Sequence, residues 1–427
     1  MSVGDNHRVR TLWLAGALHA FTHVYQVALL PLYLLIQKDL KLASVSQATL
    51  LMTVMMAGYF LPAYLLGMAA DRFSRKMLLG WGLAINSVGF VLLSLAPNYL
   101  TALLAVILTG VGGSFYHPAA TAMVARLCPV GTGKALGLVG IGASVGFFVG
   151  PIFTGWRVGM LEATLGAAAW RRPVLELGLL GLVMTGVFVW LAREEAPAPL
   201  AERKPAPATK LFPTSVLWGF FLLAAFAFSL RDFTGASMGS LGSLFLQKAH
   251  GYTPKLTGLA LSGIFLASVI SNPLFGHLSD RGRLRWTMLV LIVAAVLVAL
   301  FPHMPASATI PTYLVYGFFF MASYPMVEAA LMESVPDAMR GRVFGLFITF
   351  GGLIGNASHW AVGAWVKHLG DRAFSPEGYF AGYGVLAGLL VASLLGLPCL
   401  HAIRKREHLD HTPSADDRAA HNPQLLT

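Results

Sequence analysis

Gly67-Met68-Ala69-Ala70-Asp71-Arg72-Phe73-Ser74-Arg75-Lys76 returns in altered form as Gly276-His277-Leu278-Ser279-Asp280-Arg281-Gly282-Arg283-Leu284-Arg285. In both copies a long apolar run leads into the Gly, Asp-Arg follows, and two more cations precede the next apolar run. The pattern predicts a tight hairpin between two helices. Gly67 and Gly276 would start the turn, and the cations would lie on the cytoplasmic face of a membrane. A single copy reads as a basic loop, whereas two copies at matching places predict a duplicated chain.

The repeat extends beyond these stretches. Tyr116-His117-Pro118 answers to Tyr324-Pro325, each proline standing eleven residues before another, Pro129 and Pro336. Gly137 answers to Gly345. The pairs Gly67/Gly276, Pro118/Pro325 and Gly137/Gly345 are 209, 207 and 208 residues apart, an agreement that duplication explains better than chance.

Composition sets the class. Apolar residues make up 56% of the chain and charged residues 11%, against roughly 25% charged in a soluble domain. The apolar residues come in blocks long enough to cross a bilayer. The formal charge of +11 lies between these blocks and forms no basic stripe, so it fits membrane topology and not a nucleic-acid partner. Cys128 and Cys399 have no CxxC or metal spacing, which leaves no disulfide framework or zinc-ribbon pattern.

After His7, Arg8 and Arg10, an apolar run from 12 to 36 is too long for a signal peptide and lacks a cleavage site. Eleven further spans are predicted at 46–66, 77–95, 99–127, 134–158, 173–191, 213–247, 254–275, 286–304, 308–335, 341–369 and 377–400. On this threading twenty of the 30 Lys/Arg fall on the cytoplasmic side and nine outside, with Arg231 inside a span. That bias places both termini in the cytoplasm. The expected architecture is an all-α membrane protein of twelve transmembrane helices in two pseudo-symmetric six-helix bundles, 1–191 and 213–400. A Pro-rich linker at 192–212 joins them, and a polar, disordered cytoplasmic tail occupies 401–427.

Ionisable groups inside spans are costly and therefore functional candidates. They are His19 and His23 in the first span, His117 in the fourth, Arg231 and Asp232 in the seventh, and Glu328 in the tenth. His19, His23 and Gln26 share one helix face. Gly110, Ser114, His117 and Thr121 form a polar stripe on the fourth span, next to Tyr116 in sequence, and Tyr324 stands one turn from Glu328. Arg231 and Asp232 diverge by about 100° around their helix. Plainer readings exist for each. The two imidazoles could be core groups bonded to backbone carbonyls, Arg231-Asp232 a structural pair, Glu328 a hydrated end charge, and Glu333 a loop anchor. A His-x3-His pair also suits zinc, but the HExxH glutamate is absent and no third ligand is near in sequence, so no metal site is assigned. Gly146 and Gly150, with Gly137, Gly142 and Gly155, form a small-residue stripe for close helix packing, and Pro151 removes a backbone donor within it. Gly110-Val111-Gly112-Gly113 follows no strand and binds no dinucleotide.

These residues resemble the major facilitator superfamily. The Gly67–Lys76 stretch is similar to its signature loop, with Ala69 and Ser74 in place of Leu and Gly. The resemblance implies that Asp71, Arg72 and Arg75, with the mirrored Asp280 and Arg281, hold a cytoplasmic gate closed. The Gly146 to Gly155 run resembles a motif of proton-coupled exporters. His19 with Tyr25, Tyr116-His117-Pro118 and Leu230-Arg231 resemble the fosmidomycin-resistance exporters, which often carry an acid where this chain has His23. A duplicated transporter of this layout binds its substrate near mid-membrane, between the halves.

The expected function is secondary transport by alternating access in the bacterial inner membrane, with proton-coupled efflux of a small polar or anionic organic solute or drug. His19, His23, Gln26, Tyr116, His117, Arg231, Asp232, Tyr324 and Glu328 would bind substrate or carry protons, since imidazole titrates near neutral pH. An importer or uniporter of an organic anion, or a divalent-metal carrier using His19, His23 and His117, is the alternative. No Walker sequence, catalytic constellation or cofactor motif is present, so no enzyme and no cofactor are expected. The partners are a small-molecule substrate, protons and the lipid bilayer, without nucleic acid, and the protein is expected to act as a monomer.

Overall fold

The computed structural model describes residues 3–194, 211–335 and 339–410, and the described residues contain helices and no strands. The N-terminal set is α1 (Val3–Val27), α2 (Tyr33–Asp39), α3 (Val45–Phe60), α4 (Ala63–Arg72), α5 (Arg75–Leu95), α6 (Tyr99–Ser114), α7 (Tyr116–Leu127), α8 (Thr132–Leu165) and α9 (Arg171–Leu191). The C-terminal set is α10 (Ser215–Lys248), α11 (Pro254–Leu266), α12 (Ser268–Ser279), α13 (Arg283–Leu300), α14 (Ala306–Glu333), α15 (Arg340–Asn356), α16 (Ser358–Leu369), α17 (Phe380–Ala392) and α18 (Gly396–Asp410). Helix is what a bilayer demands, because every backbone N–H and C=O must be satisfied within the segment.

Among the described residues, ten helical stretches are long and apolar enough to cross a membrane. One of them, Lys134–Leu191, runs 58 residues because the turn between α8 and α9, Gly166–Trp170, is itself apolar. The α15–α16 stretch is not among the ten; it carries Arg340, Arg342, Asn356, His359 and Lys367.

Three expectations from sequence need correction. Gly67 and Gly276 do not start turns; each lies inside a helix, α4 and α12. The first connector is only Phe73-Ser74, with Ser74 Oγ accepting from the Met77 amide at 3.2 Å. In the second copy the turn glycine is Gly282, at φ 152°. The linker also begins later than 192. Arg193 is tied to Thr11 through its amide and carbonyl, and Glu194 caps α5. The Glu194 carboxylate accepts from Ser74 Oγ at 2.6 Å and from the Arg75 and Lys76 amides at 2.9 and 3.0 Å. The two amides belong to the first turn of α5, where an anion is favoured. Phe212, at the linker's other expected edge, is core, and 195–210 lies outside the described residues, as does Pro336. The tail, finally, is helical to Asp410, with Ile403 buried; residues 411–427 lie outside the described set.

Proline lies at three of the breaks in the N-terminal set. Pro31 lies in the 3-10 turn between α1 and α2, and Pro62 precedes α4. Pro118 sits in the first turn of α7, just past the break at Phe115, where it lacks an N–H to offer the preceding turn. Pro151 interrupts nothing, and α8 runs through it.

The two sets meet along three seams, all toward the end that carries the α1–α2 break and the α8–α9 turn. The first is α8 on α11, where glycines trade places with backbone. A Cβ on Gly155 would run into the Pro254 carbonyl, and one on Gly258 into the Pro151 carbonyl. Ser262 Oγ donates to the Phe148 carbonyl nearby at 2.7 Å. The second seam is α3 on α16, where Thr53 Oγ1 donates to the Asn356 carbonyl at 2.9 Å and accepts from the Trp360 amide at 3.0 Å. The third joins α1–α2 to α10, with Ser243 Oγ on the Leu30 carbonyl at 2.5 Å and Tyr33 on Ser240 at 2.8 Å. At the opposite end α4 packs against α7, within its own set, and Leu61, Tyr64 and Leu65 are exposed.

Candidate functional site

The expected site residues gather into two groups. The first is built on α1 and α7. Gly142, Gly146 and Gly150 let α8 press onto α1, where a Cβ at these positions would meet Gly16, Ala20 and Val24–Val27. That approach puts the Val139 carbonyl within reach of His19 Nδ1, at 3.0 Å. One turn on, His23 Nδ1 donates to Gln26 Oε1 at 2.7 Å, and the two Nε2 atoms stand 3.1 Å apart. The break at Phe115, which starts α7 afresh from Tyr116, brings His117 to the same spot. Its ring centroid is 5.2 Å from that of His19 and 5.7 Å from that of His23. Tyr116 stacks on His19 at 4.5 Å and donates to the Ala15 carbonyl at 2.8 Å. The third nitrogen that sequence spacing did not supply therefore comes from a separate helix, and the ligand atoms of His19, His23 and His117 lie within 4.8 Å of one another.

The second group is built on α10 and α14. Arg231 is 2% exposed and donates through Nε and Nη2 to Asp232 Oδ1 at 3.0 and 2.8 Å, with Nη1 on the Ser323 carbonyl at 3.4 Å. Its guanidinium lies 4.1 Å from the centre of the Tyr324 ring and 5.7 Å from that of Phe228. Glu328 lies within the field of both Arg231 and Asp232. Gly351 and Gly355 of α15 leave the room that Asp232 occupies. Adjacent charges thus find each other in spite of their divergence around the helix, because the arginine is long enough to fold back. No hydrogen bond or ion pair joins this group to the histidines among the described residues. An apolar path does: His23 packs 4.2 Å from Phe147, which stacks on Phe265 of α11 at 4.8 Å.

Of the residues expected at a gate, Arg72 and Arg281 are exposed and Arg75 is buried. Asp280 pairs with its neighbour Arg283 at 3.4 Å. Asp71 lies in the last turn of α4, and its side chain lies outside the described residues. Glu333 holds Arg283 at 2.5 Å and Arg404 at 3.5 Å, an anchor for the α12–α13 turn and α18.

Sequence reasoning missed His359. It is buried on α16 with Nδ1 2.6 Å from Ser240 Oγ and Nε2 3.1 Å from Asn356 Oδ1. Asn356 Nδ2 donates to the Gly352 carbonyl, so its oxygen must accept from His359, whose Nδ1 then accepts from Ser240. The chain of donors runs Tyr33 to Ser240 to His359 to Asn356 and crosses from one helix set to the other. The rule applied to His19 and Arg231, a titratable group in an apolar run, would have found it.

Comparison with known proteins agrees with this architecture. The chain is 28% identical to multidrug resistance protein 2 of Bacillus subtilis (strain 168), over 76% of this chain and 80% of that one. It is 25% identical to the fosmidomycin resistance protein of Escherichia coli (strain K12), over 78% and 80%. Its fold superposes on the crystal structure of a bacterial homologue of the human lysosomal transporter Spinster, in an inward-facing and unoccupied conformation. The TM-score is 0.72 at 16% identity, covering 96% of this chain and 99% of that one. The pattern of the Major Facilitator Superfamily matches residues 12–359: the chain belongs to that superfamily and is a membrane transporter.

Proposed function

We propose that this transporter exports a small polar or anionic organic solute or drug in exchange for protons, by alternating access across the bacterial inner membrane. The observation that carries the reading is a buried cation, Arg231, held by one carboxylate, Asp232, in the field of a second, Glu328. Relatives named as multidrug and fosmidomycin resistance proteins support the direction. The threading is twelve spans, with α8 and α9 separate and α15–α16 supplying the eleventh. Bundles 1–191 and 213–400 rock about the three seams, and both termini are cytoplasmic. On that threading the seams lie at the outer end, so the conformation is open to the cytoplasm.

The carboxylates set the sign of coupling. A solute group that donates hydrogen bonds to Asp232 or Glu328 needs a bare carboxylate, so solute and proton exclude each other and antiport follows. An anion that has no donor for either carboxylate and takes Arg231 from Asp232 is instead helped by a proton on Asp232, which gives co-transport and an importer. Proteoliposomes with an imposed pH gradient distinguish the two. Export predicts solute movement against the proton flow, and co-transport predicts movement with it. Flux indifferent to the gradient removes proton coupling altogether.

A further inference from the structure

We propose that His19, His23 and His117 bind one divalent transition-metal ion of the imidazole-preferring class, such as Zn2+, Co2+ or Ni2+. Their donor atoms lie within 4.8 Å of one another, and the His19–His23 edge is already 3.1 Å. Zinc–nitrogen bonds of about 2.05 Å in a tetrahedron put ligand atoms roughly 3.3 Å apart. One edge of the site is therefore set, and only the His117 ring has to swing in.

The hydrogen bonds around the cluster prepare it for a cation. His19 Nδ1 faces a carbonyl, which can only accept, and His23 Nδ1 faces Gln26 Oε1. With the Gln26 oxygen toward the His23 ring, both neutral rings carry their proton on Nδ1. Both Nε2 atoms then present lone pairs to each other at hydrogen-bond distance with no proton between them, an arrangement that repels unless a cation sits there. Metal-bound histidines are held in this way, with the far nitrogen donating to a carbonyl or amide oxygen that fixes tautomer and ring plane. The helix packing takes part too, since the glycine contact at Gly142 brings the Val139 carbonyl to His19.

The donor set selects the ion. Three imidazoles with no carboxylate or thiolate suit borderline metals and disfavour Mg2+ and Ca2+, which take oxygen ligands. Three protein ligands leave a fourth position for water or an anionic oxygen. All three lie on α1 and α7, in one helix set, so rocking of one set against the other leaves the site intact. The site stands apart from the Arg231 group and holds whichever way solute moves.

The test is titration of the purified full-length protein in detergent, with any affinity tag removed. Co2+ is the probe, read by its visible d–d absorption, with Zn2+ as competitor. One Co2+ per chain is expected, with the intense bands of low coordination and displacement by Zn2+. His117→Gln and the double variant His19→Gln/His23→Gln should abolish the bands. Gln26→Leu, which removes an orienting partner and no ligand, should weaken binding about 10- to 100-fold. Melting of the metal-free proteins checks folding, and Zn2+ should raise the melting temperature of the wild type and not of the ligand variants. Wild-type protein that binds no stoichiometric Co2+, or binds it with a weak six-coordinate spectrum that persists in the ligand variants, overturns the proposal.

Discussion

The hydroxyls of Tyr33 and Ser240 meet 2.8 Å apart and join α2 to α10 between residues 207 positions apart in sequence. Tyr33 is the first donor of the chain that ends at Asn356, so Tyr33→Phe removes a cross-set bond and leaves the Ser240 oxygen one donor short. A buried hydrogen bond contributes about 1 kcal/mol net. The variant should shift the balance toward opening at this seam by roughly fivefold. In a Cys128- and Cys399-free background, Ser46→Cys, on α3 where it backs onto Gly363 of α16 at the adjoining seam, should become more reactive to a water-soluble thiol reagent. An unchanged rate would show that the bond carries no weight in closure.

Truncating one partner of the Arg231–Asp232 pair should be severe. A carboxylate left buried without its cation costs about 3–5 kcal/mol, so Arg231→Ala should lower the melting temperature in detergent by many degrees and abolish flux. Arg231→Ala/Asp232→Ala should recover much of the stability without the flux. Such a split separates a transport role from a purely structural one, and a double variant that transports normally would exclude both residues from the mechanism.

Glu194 is expected to matter beyond its place at the edge of a linker. Its carboxylate satisfies three donors at the start of α5, and loss of a cap of this kind costs about 1–2 kcal/mol. Glu194→Ala should reduce thermal stability by that amount. Glu194→Gln should recover only part of it, because the charge acting on the helix end is gone.

His250 gives a pH dependence with a definite sign. It follows α10 with its ring 4.7 Å from Phe245, and burial lowers its pKa below the ordinary 6.5. As pH falls through 6.5 the unfolded chain takes up this proton before the folded one, so stability declines with falling pH and levels off below the folded pKa. His250→Asn should flatten that part of a melting-temperature profile between pH 7 and 5, and an unaltered slope would assign it to other groups.

Gly258→Ala should slow transport while sparing the fold. The added methyl meets the Pro151 carbonyl, and overpacking of this kind costs about 1–3 kcal/mol. The cost falls only where α8 and α11 touch. Flux should drop about 10- to 100-fold, with the melting temperature changed less than by Arg231→Ala.

How much of this was legible depends on the range over which each feature acts. The Asp71 and Asp280 stretches were readable as paired hairpins because charge and apolar length are local properties. Gly67 was misplaced because a glycine next to polar residues reads as a turn, while backbone continuity through α4 depends on packing against α7. Ser74 and Gly282 hold the turns instead. His19 and His23 could be set on one face by spacing alone. His117 stands 94 residues after His23 in the sequence, and no spacing rule joins them; only the break at Phe115 and the α1–α8 approach do. His359 shows the reverse case. Its letter was visible, but its meaning lies in Ser240 and Tyr33, which look unremarkable in sequence. Ten stretches and not twelve stand out by apolar length, since the α8–α9 turn is as apolar as its helices and α15–α16 is too polar.

The joint between α8 and α11 is close because atoms are missing from it at Gly155 and Gly258, and that makes its mechanics one-sided. Every replacement at either place inserts a wedge, and none can draw the surfaces nearer. It behaves as a dry bearing whose clearance is already at its minimum. If the halves rock here, a change at the pivot can only loosen the closed state, and tightening it falls to the latches around it, the hydroxyl and imidazole contacts at Tyr33, Ser240 and His359.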